Sequence, residues 1–75
     1  MRLCDVQVGE NTVVTGMHMR KKDADRLFYL GIYPGAHVQK VRFAPMKDPC
    51  LYFAAGNQII LRNQDAAGIE VEVIK

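Results

Sequence analysis

Changes in the spacing of apolar residues divide the chain, and each spacing predicts its own kind of element. In "NTVVTGMHM" (11–19) β-branched residues run up to a basic cluster, Arg20, Lys21 and Lys22, which predicts a strand from Glu10 to Met17. The period changes in "KDADRLFYLG". Ala24, Leu27 and Phe28, with Leu30 just beyond, follow the i, i+3, i+4 spacing of one helical face. Asp23 is placed to cap this helix, because its carboxylate can accept a bond from a first-turn N–H, and Gly31 is placed to stop it. A corner follows in "LGIYPGAHV". Pro34 presets φ for the first central residue of a turn, and Gly35 supplies the positive φ that a type II turn needs next. Ile32, between helix stop and turn, reads as a single buried residue.

Beyond the corner the period is that of strands. "AHVQKVRF" is strand-like, but Val38 and Val41 lie three apart, so a bulge near Gln39 and Lys40 is needed to bring both to one side. "APMKDP" (44–49) is a loop bracketed by prolines. "CLYFAAGNQIIL" predicts a hairpin, with strands 50–55 and 58–62 around a Gly56-Asn57 turn. "NQDAAG" predicts a helical turn capped by Asn63, and "IEVEVI" alternates cleanly, with Ile69, Val71 and Val73 inward and Glu70 and Glu72 outward. About five short strands, a short helix after the first and a helical turn before the last predict a mostly β protein. A small SH3-like barrel fits best, and an OB-like barrel second.

Composition narrows the class. The 75 residues are read as a single domain, 1–75, with no internal repeat and a net charge of only +2. Cys4 and Cys50 are read as reduced thiols, and "MRLCDVQVGENT" lacks the apolar run of a secretory leader, which together predict a cytoplasmic protein. The chain has no serine, which removes every serine-nucleophile arrangement. Cys50 shares a strand face with Tyr52 and Ala54, so it reads as a small buried thiol rather than a nucleophile. No enzyme and no cofactor are expected.

Candidate metal ligands are Cys4, Met17, His18, Met19, His37 and Cys50, with Asp48 isolated. None has the paired spacing of a metal site. In a strand, Met17 and Met19 point away from His18, so the methionines read as core filling and the histidine as solvated. No metal site is predicted. Arg20, Lys21, Lys22, Arg26, Lys40, Arg42 and Lys47, with aromatics interleaved, are the basis of an alternative reading as a nucleic-acid-binding barrel. The near-balance of acidic and basic residues weighs against it.

The hairpin offers a different candidate. If Cys50, Tyr52 and Ala54 face inward, Leu51, Phe53 and Ala55 face out. With Tyr33 and Met46 they make a candidate docking patch for a protein partner or a second copy of the chain. The competing register puts Leu51 and Phe53 in the core.

The order and spacing of these landmarks resemble the FeoA family. They are Leu27, Leu30, Gly31, Ile32, Pro34 and Gly35, then Pro45, Asp48, Pro49 and Gly56, then Ile59, Leu61, Arg62, Ala66, Ile69 and Val71. Leu3, Val6 and Gly9 fit more loosely. The resemblance implies an SH3-like barrel with a helix inserted between its first two strands, and no catalytic residues. It implies a bacterial accessory protein of ferrous iron transport. Its partner is then the membrane ferrous iron transporter, through the transporter's cytosolic GTP-binding domain. Apolar Leu51 and Phe53 depart from the family, which more often has polar residues there.

Overall fold

The computed structural model describes residues 1–43 and 48–74, apart from the side chain of Phe43. A 3-10 turn (Leu3–Asp5) precedes β1 (Asn11–Met17), α1 (Lys21–Tyr29), β2 (His37–Phe43), β3 (Cys50–Ala54), β4 (Asn57–Leu61), α2 (Asn63–Ala66) and β5 (Ile69–Val73). The sheet is antiparallel in the order β4-β3-β2-β1-β5, a meander whose last strand returns beside the first. This is the predicted mostly β architecture, and it leaves β4 and β5 as edges.

The corner is built as its residues require. Gly31 has φ +97°, Ile32 N–H donates to Leu27 C=O at 2.9 Å and Gly31 N–H to Phe28 C=O at 3.0 Å. That pair of bonds is a Schellman motif, and its apolar partners Leu27 and Ile32 are both buried. Ala36 N–H then closes the Pro34-Gly35 turn on Tyr33 C=O at 2.9 Å, with Gly35 at φ +94°. A methyl on Gly31 would collide with the Ala55 side chain, so the corner lies directly against the β3–β4 loop.

Both predicted caps are corrected. The N–H groups of Asp23 and Ala24 donate to Arg20 C=O, each at 3.0 Å, so α1 starts at Lys21 and Asp23 sits inside its first turn without a capping bond. There its charge still complements the helix dipole. Asn63 does not cap α2 either. Its own N–H donates to Asp48 Oδ1 at 3.0 Å, a cap supplied from fifteen residues earlier in the chain.

The hairpin turn is also displaced. The loop is Ala55-Gly56, both at positive φ (52° and 78°), which is a type I′ geometry, rather than Gly56-Asn57. Local chemistry suits either placement. The observed one sets buried Tyr52 opposite buried Ile59, and Cys50 opposite Leu61, and leaves an alanine at positive φ.

The bulge in β2 falls one residue later than predicted, between Lys40 and Arg42. Val38 and Lys40 therefore take the inner face, and Val41 is only half-buried. The predicted pairing of Val38 with Val41 on one face gives way because the Lys40 stem can cover the core while its ammonium finds acceptors. Lys40 Nζ donates to the carbonyls of Cys4 (3.0 Å) and Val6 (3.1 Å) and lies 5.9 Å from the centre of the Tyr52 ring. The N-terminal turn, with Leu3 and Val6 beneath it, is thereby tied over the sheet.

Candidate protein-interaction surface

On β3, Cys50, Tyr52 and Ala54 are buried, Leu51 is half-buried and Phe53 is 43% exposed. The inward register is the predicted one, and the alternative with Leu51 and Phe53 in the core is excluded. Strand pairing places Ile60 beside Leu51, and Gln39 and Gln58 on either side of Phe53. Ile60, which sequence reasoning passed over, is 69% exposed. Its signal is the adjacent pair Ile59-Ile60: in a strand one of the two must face out.

Tyr33 is exposed at the corner, with its ring 5.4 Å from that of Phe28. Phe28 in turn meets Tyr29 edge-on at 6.1 Å. These rings are on the open side of α1: Phe28 is 58% and Tyr29 87% exposed, while Leu27 alone of the helix is fully buried. The helical spacing overstated the inner face because a nine-residue helix anchored by a Schellman motif needs only one deep side chain. Contact between Gly31 and Ala55 joins the corner to the hairpin loop, so Tyr33 and Phe53 belong to adjoining elements. Met46 lies outside the described residues.

A groove of about 450 Å³ runs beside this surface, lined by Arg26, Leu27 and Leu30 of α1 and by Pro49, Ile60, Leu61, Arg62 and Asp65. The basic stripe of the nucleic-acid reading is interrupted, because Lys40 is inside the protein.

The interior offers little reactivity. Burial raises the pKa of the Tyr52 hydroxyl and keeps it protonated. Burial, then the neighbouring Asp5 carboxylate, pushes the Cys4 thiol above its ordinary value, which disfavours the thiolate. The buried Cys50 thiol meets Asn63 Oδ1 at 3.4 Å. His18 is exposed, while Met17 and Met19 pack against the core. Among the described residues no three histidine, cysteine or acidic side chains gather as a metal site would require.

The FeoA domain model matches residues 1–73. The chain belongs to the FeoA domain family. A solution structure of the FeoA protein from Chlorobium tepidum is 31% identical, with a TM-score of 0.94 over 100% of this chain and 71% of that one. The FeoA of Stenotrophomonas maltophilia, described as a prokaryotic SH3 domain protein and crystallised with zinc, is 26% identical, with a TM-score of 0.81 over 96% of this chain and 89% of that one. The fold is therefore SH3-like, and the OB-like alternative is set aside. A fusion of Fe(2+) transport protein A with the Fe(2+) transporter FeoB, from Porphyromonas gingivalis, is 34% identical over 74 residues. This FeoA domain spans 9% of the length of that fusion protein.

Proposed function

We propose that the protein is a non-catalytic accessory module of ferrous iron uptake that docks on the cytosolic GTP-binding part of a membrane iron transporter. The observation that carries this reading is the Porphyromonas gingivalis fusion, in which a segment related to this chain and an Fe(2+) transporter share one polypeptide. Joining two modules raises their effective concentration and rewards even a weak contact between them. A small apolar surface with mixed aromatic and aliphatic residues is suited to such a contact. Phe53, Leu51 and Tyr33 form the proposed docking face, with Met46 assigned to it from the sequence. Among the described residues no helix is long and apolar enough to cross a membrane.

A pull-down with the transporter's GTP-binding domain, run nucleotide-free, with GDP and with a GTP analogue, tests this reading. Binding lost on Phe53→Ser or Tyr33→Ser, with an unchanged circular dichroism spectrum, supports it. No binding in any nucleotide state overturns it. Binding of a labelled oligonucleotide that falls steeply with salt would instead favour a nucleic-acid partner. Concentration-dependent mass would favour a second copy of the chain.

A further inference from the structure

The groove beside α1 has a wall of unusual kind. It is lined both by outward Ile60 and by inward Leu61, so it runs along the edge of β4 rather than over one face of the sheet. The loop Ala55-Gly56 is closed by the pair Ala54 and Asn57, and in a two-residue hairpin the closing pair is hydrogen-bonded. Bonded and non-bonded pairs then alternate, which turns the N–H and C=O groups of Gln58 and Ile60 away from β3. Neither residue makes a further hydrogen bond among the described residues. Natural edge strands are commonly guarded by charge or proline, yet residues 50–61 carry neither.

Charge is instead placed on the rim. Arg26 from α1 and Arg62 at the end of β4 line the groove against one carboxylate, Asp65, and neither arginine is in an ion pair among the described residues. Between them the groove is open at Leu30 and Ile60, which lie over buried Leu27 and Leu61. We infer that this groove takes an extended, acidic segment of the docking partner, added to β4 as a further strand, with apolar side chains on Leu30 and Ile60 and carboxylates on Arg26 and Arg62. The identity of that partner rests on the docking reading above. A second copy is the poorer occupant, because its β3–β4 hairpin has no carboxylate to offer the arginines and its acidic edge strand β5 is already bridged by Met1 and Arg2, with Glu70 on the N-terminal ammonium.

The test needs no transporter. Two eight-residue peptides of alternating valine and threonine, one with glutamates at its ends and one with lysines, are titrated into the labelled protein and followed by amide NMR. The glutamate peptide is expected to bind about ten-fold more tightly, as a modest ion-pair gain allows. It should shift the Gln58 and Ile60 amides and slow their exchange. The exposed double variant Arg26→Glu, Arg62→Glu should reverse the preference. Equal affinity for both peptides, no preference reversal, or shifts away from β4 would overturn the inference. Exchange protection at Ile60 that rises with protein concentration alone would overturn it in favour of a second copy. Failure here with a positive pull-down leaves the docking reading standing. The opposite pattern removes the transporter and keeps an acidic-strand site.

Discussion

The N-terminal turn and the β3–β4 hairpin are both rich in apolar residues, yet they end in opposite states. Leu3 and Val6 are buried, while Phe53 and Ile60 remain open to solvent. The difference is polar rather than apolar. A short 3-10 turn has no ladder of its own, so it is held from outside, by the Lys40 ammonium on the Cys4 and Val6 carbonyls and by the preceding Met1–Arg2 stretch, which pairs with β5 at Glu70 and Val71. The hairpin carries its own ladder and needs no tether, which frees its outer face. In a domain this small, where burial is scarce, apolar residues secured by strand pairing are the ones that can be left exposed.

The comparison breaks most sharply at Lys40. Lys40→Ala should cost about 3–5 kcal/mol in denaturant unfolding, because it empties a buried site and strips two carbonyls of their donor. Lys40→Met keeps the volume and should still lose about 1–3 kcal/mol, with faster amide exchange in the N-terminal turn. If Lys40→Met is as stable as the parent, the ammonium is not what holds the turn.

Next comes the junction of corner and hairpin. Gly31→Ala forces an L side chain into a left-handed conformation and against Ala55, and should cost about 2–3 kcal/mol. Ala55→Gly relieves both the strained φ and the clash, so it should recover part of that loss in the double variant, read as a double-mutant cycle. Strict additivity would mean that the two elements do not support one another.

Phe53→Ser sharpens the comparison from the other side. Lying on an exposed face, it should change stability by only about 0.5 kcal/mol, whereas Leu3→Ser should unfold much of the domain. A large loss of thermal stability in Phe53→Ser would show that the outer face is structural.

The smallest expected effect is on acidification. Arg2 holds the Asp5 carboxyl below its ordinary value through a 3.0 Å hydrogen bond and its charge. A depressed carboxylate pKa stabilises the fold above the unfolded value, and that contribution fades as pH falls through the lowered one. The pair is exposed, so the effect on the N-terminal turn should appear only below about pH 4 and vanish in high salt. Amide exchange of Leu3 and Val6 across that range checks it.

Much of this was legible in the residues. The corner, five strands, inward Cys50, Tyr52 and Ala54, and the exposed sides of Tyr33 and Phe53 follow from local rules of period and turn chemistry. The caps were misplaced because Asp23 and Asn63 satisfy a cap rule that the backbone met otherwise, through Arg20 and Asp48. Phe28 and Ile60 were missed because spacing identifies a face without saying how much of it a neighbour will cover.

By itself the sequence determined whatever a residue imposes on its own backbone: the positive φ at Gly31 and Gly35, the fixed turn at Pro34, the alternation that sends Ile69 and Val71 inward. Those demands act within a few residues, so they are visible in order along the chain. Only the tertiary structure decided that Lys40 would be buried, that Ala55 would bear a left-handed conformation, and that an acid far back in the chain would cap α2. Each of these joins groups distant in sequence, and a buried ammonium or a strained alanine is tolerated only because partners brought by the fold offset its cost.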